Sequence, residues 1–181
     1  MVTCSPPTYD GPRPDPYRSG YVSVAQAIQI EAAPEQVLDW NAKQSLEETV
    51  DFESRFPSVV ETEPLRGNWV AGQRVGDRRR VRFSDGSFLA EEVLIDTPET
   101  FRYLIWGFTA RLRVAIRQGR AEFRHLPVEG GTRVEWTYAL LPTTPVLRPV
   151  VAQFLRRVMT PMMTATLTGM RDGVRSSGST V

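Results

Sequence analysis

Between residues 73 and 140 the chain repeats one pattern: apolar and polar side chains alternate along a run, and a short break rich in Gly, Pro, Asp or Ser follows. The runs are Gln73 to Phe83, Ser87 to Ile95, Thr100 to Trp106, Arg111 to Phe123 and Thr132 to Leu140. Alternation with period two predicts strands with one buried face, and breaks this short permit only hairpin connections, so the sheet is antiparallel and meandering. Val146 to Asp172 then changes period. Val150, Val151, Phe154, Leu155, Val158, Met162, Thr166 and Met170 fall at helical spacing, which predicts one helix of about 40 Å covering a single sheet face. Pro161 removes an internal hydrogen bond and is expected to kink that helix near its middle.

Before the meander, Val22, Val24, Ile28 and Ile30 alternate with Ser23, Ala25, Ala27 and Gln29 as a first strand. Pro34 followed by Glu35 marks a helix start, and two short helices are expected between Pro34 and Arg55. A short strand around Val59 to Glu63 follows, and Gly67 to Gly72 forms a loop that carries Trp69. Residues 1–20 hold Pro6, Pro7, Pro12, Pro14 and Pro16 with few aliphatic side chains, which reads as a flexible or extended arm. Tyr9 and Tyr17 would let it lie across the domain. Residues 173–181 read as a disordered tail, leaving residues 21–172 as the folded unit.

Pairing decides which side chains meet. In the first hairpin, a two-residue loop would set Val81 against Ala90 and mix the faces. A three-residue loop, Ser84-Asp85-Gly86 with Gly86 left-handed, pairs Val81 with Leu89 and keeps the apolar sets together. That register turns Arg79 and Glu91 inward as a pair. It reads either as a structural ion pair at the open end of the sheet or as acid–base machinery. The remaining inward sets are Val75 and Phe83; Val93 and Ile95; Phe101, Tyr103 and Ile105; Leu112, Val114 and Ile116; and Val134, Trp136, Tyr138 and Leu140. Ala121 and Phe123 are apolar in the opposite parity, which implies a bulge at Gln118-Gly119. The aromatic residues thus face a helix carrying Met159, Met162, Met163 and Met170, and methionine packs around variable shapes.

Composition closes several doors. With a net charge of +1 there is no field to attract nucleic acid. Cys4 is the only cysteine, so no intrachain disulfide forms, and a cytoplasmic location is the default expectation. One histidine cannot build a His-based zinc site, and no metal is expected. His125, just before Leu126-Pro127, reads as a solvated turn residue. No apolar run approaches the roughly 20 residues of a membrane span, so no insertion is expected.

The segments Ile28-Gln29-Ile30-Glu31-Ala32-Ala33-Pro34-Glu35-Gln36-Val37, Ser84-Asp85-Gly86 through Glu91, Pro98 to Tyr103, and Gly130-Gly131-Thr132-Arg133-Val134-Glu135-Trp136-Thr137-Tyr138 resemble the START-related SRPBCC superfamily in its polyketide cyclase/dehydrase-like branch. The resemblance implies an α+β helix-grip fold: a curved antiparallel sheet of about seven strands around a long C-terminal helix, with two short helices after the first strand. It also implies a cavity between sheet and helix for a hydrophobic small molecule, such as a polyketide-like or aromatic metabolite. Where relatives often place a tryptophan in the first helix this chain has Leu38, with Trp40 displaced, which implies a reshaped cavity mouth. Two activities stay open: cofactor-independent cyclisation or dehydration, and non-catalytic carriage or sensing. For the first, Glu91, Arg79 and Tyr103 are the candidate catalytic residues. The expected ligand contacts are Trp69, Val81, Phe83, Leu89, Val93, Ile105, Val114, Trp136, Tyr138, Phe154, Val158 and Met162. The chain would act as a monomer or homodimer.

Overall fold

The computed structural model describes residues 6–45, 56–109 and 111–178. Seven antiparallel strands form one sheet: β1 (Val22–Ile30), β2 (Val59–Arg66), β3 (Arg78–Phe83), β4 (Phe88–Asp96), β5 (Thr100–Trp106), β6 (Ile116–Val128) and β7 (Gly131–Pro142). Their spatial order is β1-β7-β6-β5-β4-β3-β2. The chain crosses from one edge to the other after β1, and the helix α1 (Pro34–Ala42) lies on that crossover. Pro34 supplies the first turn, and Gln36 Oε1 accepts from the Ala33 amide at 3.2 Å. The second short helix expected before Arg55 lies outside the described residues.

The β3–β4 turn has the predicted chemistry. Val81 pairs with Leu89 and Arg79 with Glu91, Gly86 sits at φ +79°, and the Gly86 and Phe83 amides bond to Phe83 O and Ser87 O, each at 2.9 Å. Left-handed backbone at that point favours glycine. Pro64 lies in β2, an edge strand, where its missing N–H costs no ladder bond.

Three parity predictions are corrected by local irregularities. Val75 lies in the turn before β3 and is 63% exposed. A register shift between Val93 and Ile95 sets Ile95 opposite Arg102 and Asp96 opposite Phe101, so Asp96 rather than Ile95 shares the inner face with Phe101. Residues 112–115 form a helical turn, α2 (Leu112–Ala115), and leave Val114 68% exposed. Val114 is therefore outside the inner-face set. The bulge in β6 falls between Ile116 and Gln118, one step earlier than expected. Gly119, Ala121, Phe123 and His125 then share the parity of the inner face, with Ala121 opposite Tyr103.

The long helix α3 is built from Arg148–Phe154, a π-helical turn Leu155–Met159, and Thr160–Gly178. At the π turn the Thr160 amide and hydroxyl both bond to Leu155 O, the hydroxyl at 3.1 Å. Pro161 follows directly. Its ring and missing N–H disrupt the ordinary ladder, and a π turn is one way helices absorb such a break. The helix continues past Asp172 through Gly178, where Ser176 and Ser177 hydroxyls bond back to the carbonyls of Asp172 and Gly173. No described helix is long and apolar enough to cross a membrane.

The inner sheet face carries two packed clusters. One joins Ile30, Val134, Trp136 and Leu140 to Leu155, Met159, Met163 and Leu167 of α3. The other gathers Val81, Phe83, Leu89, Tyr103, Ile105 and Ala121 under Phe56 and Phe108. On the outer face residues 6–18 run as an extended strap. Tyr9 Oη donates to Gly107 O at 2.8 Å, Arg80 Nη1 donates to Pro7 O at 2.7 Å, and Gln118 Nε2 donates to Asp15 O at 2.7 Å. Tyr17, by contrast, is 71% exposed.

Candidate ligand-binding site

The inner face is not filled end to end. A cavity of about 370 Å³ opens between β3, β5, β6, β7, α1 and the second half of α3. Phe101, Phe123, Trp136 and Trp69 contribute aromatic wall, and Leu38, Thr166 and Met170 contribute helix side chains. Leu38 borders the mouth, while Trp40 packs where Gly173 leaves room; a Cβ there would come within 2.2 Å of the indole.

Arg79 supplies the first polar element. Its Nε and Nη2 both lie 2.7 Å from Glu91 Oε2, and its guanidinium stacks 4.2 Å from the Trp69 ring. Trp69 adopts φ +54°, a strained value for a side chain of this size. The Trp69 amide donates to Asp77 Oδ2 at 2.8 Å, and Gly67, at φ +76°, passes so close that a Cβ would be 1.8 Å from Asp77 Oδ1. Asp77 thereby fixes the loop that sets tryptophan over arginine. Such stacking contributes on the order of 0.5–1 kcal/mol, more when desolvated.

Arg74 and Asp96 form a second pair at the mouth, bonded through Arg74 Nη2 at 2.8 Å, Nε at 3.1 Å and the Arg74 amide at 2.9 Å. Arg74 also stacks 4.2 Å from Phe101. Burial pushes the Asp96 carboxyl up, but the bonds from Arg74 outweigh it and hold the group below its usual range. The β4 bulge places this carboxylate. Each cationic side chain bordering the cavity therefore carries its own carboxylate.

Tyr103 is buried and Tyr138 half-buried, and both phenols are pushed upward by desolvation and then by the Glu91 charge. They are neutral at ordinary pH. Tyr103 borders the cavity. His125 does too, only 3% exposed, with neither ring nitrogen hydrogen-bonded among the described residues. It is a buried wall residue, which corrects the reading of a solvated turn. Trp136 Nε1 is likewise buried, with no hydrogen-bond partner among the described residues. No group of three His, Cys, Asp or Glu side chains that could hold a metal occurs among the described residues.

Of the residues expected from sequence, Arg79, Tyr103, Trp69 and Trp136 meet at the cavity. Glu91 stands behind Arg79 and does not border it. Val81, Phe83, Leu89 and Ile105 belong to the second packed cluster, and Val93 is buried beside Tyr103 in the β4–β5 ladder. Tyr138 packs against both clusters, Met162 lies in the first, Phe154 makes a tilted ring contact with Phe56 at 5.6 Å, and Val158 is half-buried in the π turn. Sequence reasoning missed Arg74, Asp96, Phe123 and His125 as wall residues. For His125 the signal was present: the parity set by Ala121 and Phe123 continues to residue 125 once the strand is allowed to run on.

A family model described as "Polyketide cyclase / dehydrase and lipid transport" matches residues 21–175. The chain belongs to this family. No curated protein matches the sequence significantly. Among solved structures, the fold is similar to the di-domain ARO/CYC StfQ from the steffimycin biosynthetic pathway, with a TM-score of 0.64 and 11% identity over 87% of this chain and 52% of that one. Norcoclaurine synthase of Thalictrum flavum gives 0.62 at 12% identity, covering 88% and 97% of the two chains. TTHA0849 from Thermus thermophilus gives 0.61 at 19% identity, covering 87% and 100%. At such identities the likeness is one of fold, and the α+β helix-grip architecture expected from the sequence is the one observed.

Proposed function

We propose that the chain binds a hydrophobic small molecule of polyketide-like or aromatic type in this cavity and promotes its cyclisation or dehydration by acid–base chemistry without a cofactor. The carrying observation is the cavity wall, where four aromatic faces surround two neutralised guanidinium groups and a neutral phenol. A flexible substrate folded against these faces is held near its reactive geometry, and orientation alone can lower a barrier by several kcal/mol. Arg79 and Tyr103 donate to the oxygen on which enolate charge develops. Glu91 positions Arg79 from behind, through the ion pair at 2.7 Å. Membership of a family that spans cyclases and lipid transport supports binding in either case.

A second reading, carriage or sensing without chemistry, is favoured by one observation: Glu91 is committed to Arg79 and does not border the cavity. Native mass spectrometry of freshly purified protein is expected to reveal a bound small molecule, held about tenfold more weakly by Arg79→Ala, the loss of one charge-assisted contact. A cyclised or dehydrated product after incubation selects the enzyme. Recovery of the molecule unchanged selects the carrier, and wild-type turnover in both Arg79→Ala and Glu91→Gln removes those residues from their assigned roles.

A further inference from the structure

Two nitrogen-bearing rings on the cavity wall have no hydrogen-bond partner among the described residues. His125 and Trp136 point from adjacent strands, with Phe123 opposite Trp136 and His125 opposite Val134, so the two are diagonal neighbours on the inner face. Such neighbours lie about 7–8 Å apart, within reach of one bound molecule. Trp136 is fixed by stacking on Phe123 at 4.5 Å between centroids. Its Nε1–H can only donate, and a neutral imidazole donates from one nitrogen and accepts at the other. Buried groups of this kind are seldom left unsatisfied, because each costs the desolvation of a lost bond. Two on one cavity wall point to a ligand.

The ionic surroundings narrow its chemistry. Among the described residues, the other titratable groups bordering the cavity are Asp39 at the exposed rim, Arg74 with Asp96, Arg79 with Glu91 behind it, and Tyr103. Neither arginine has charge to spare for an anionic ligand. Among the described residues no carboxylate is paired with His125, and burial pushes its imidazole down to about 4, so it is neutral near pH 7.

We infer that His125 and Trp136 form a polar subsite that hydrogen-bonds a neutral oxygen, hydroxyl or ketone, on an aromatic or polyketide-like ligand. The inference rests on the cavity being the binding site, and it names the group that distinguishes this ligand from a plain hydrocarbon. A hydroxyl donates to the bare imidazole nitrogen and accepts from the indole; a ketone accepts from either donor.

The test uses the full chain with naphthalene, 2-naphthol, 2-acetylnaphthalene and 2-naphthoate as probes. His125 is the only histidine, so its ring nitrogens give one NMR signal set that needs no assignment. The expected result is that the two neutral oxygenated probes bind about tenfold more tightly than naphthalene and shift the imidazole nitrogens, which naphthalene leaves nearly in place. His125→Phe and Trp136→Phe should each bring 2-naphthol towards the affinity of naphthalene. Should a variant fail to fold, the wild-type spectrum decides. Equal affinities with unmoved nitrogens would overturn the subsite while leaving the cavity reading intact. Tightest binding of 2-naphthoate would overturn the preference for neutral oxygen, and binding of no probe would overturn the cavity reading and the subsite together.

Discussion

Glu92→Ala lowers the stability of the fold by about 3–5 kcal/mol, the cost of leaving a buried cation without its partner. Glu92 and Arg78 face each other on the outer side of β3 and β4 and are only 4% and 3% exposed. Arg78 Nε and Nη2 bond to Glu92 Oε2 at 2.9 and 2.7 Å. The strap completes the shell: Arg78 Nη1 donates to the carbonyls of Tyr9 and, at 2.8 Å, Gly11, and Arg13 reaches Glu92 Oε1 at 3.2 Å. Trp106 lies 5.0 Å from the guanidinium. Without Glu92, Arg78 and Arg13 converge with no anion between them, and the N-terminal strap loses part of its anchorage. Urea unfolding reads this as a lower midpoint. Glu61→Ala, which removes the partner of Arg82 where both are about half exposed, is expected to change stability by no more than about 0.5 kcal/mol. Similar midpoints for the two variants would show that the buried pair is not a keystone of the outer face.

Acid weakens the fold through a single side chain before most carboxylates titrate. Burial pushes the His125 imidazole down from 6.5 to about 4 in the folded chain. Between these values the unfolded chain binds the proton and the folded chain does not. Stability therefore rises with pH across this window; the contribution is complete above about 6.5 and is lost as pH falls towards 4. Its size is roughly 3 kcal/mol, about 1.4 kcal/mol per unit. Urea midpoints of the wild type should drop steeply from pH 7 to pH 5, whereas His125→Phe, with no imidazole to protonate, should be nearly flat. Asp96, held low by Arg74, adds its own loss only at more acidic pH. A variant with the same slope as wild type would mean that His125 is solvated when folded.

Much of this architecture was legible because period-two alternation and turn chemistry are local. Ser84-Asp85-Gly86 was enough to set the β3–β4 register and so to turn Arg79 towards the interior. What escaped were departures from the period. The β4 bulge exchanges Ile95 for Asp96 on the inner face, and the helical turn at Leu112–Ala115 moves Val114 into solvent; neither carries a Gly or Pro that would announce it. The division of the inner face was hidden for a different reason. Val81, Leu89 and Ile105 have the same pattern as Phe101 and Phe123, yet one set closes into core and the other borders space. Which set faces the cavity depends on how α1 and α3 lie over the sheet, a tertiary property. The strap was invisible to periodicity because backbone carbonyls, not side-chain pattern, tie most of it to Arg78, Arg80 and Gln118.

The central claim, that the space beside Arg79, Tyr103 and His125 is where an aromatic ligand binds, is tested most directly by titrating 2-naphthol into wild type and Asn41→Trp. Asn41 borders the cavity from a half-exposed position on α1, so a bulkier side chain there fills the mouth with little effect on the core. The account predicts saturable binding to wild type and affinity at least about tenfold weaker in a variant of unchanged thermal stability. Equal affinity for the two proteins would contradict it.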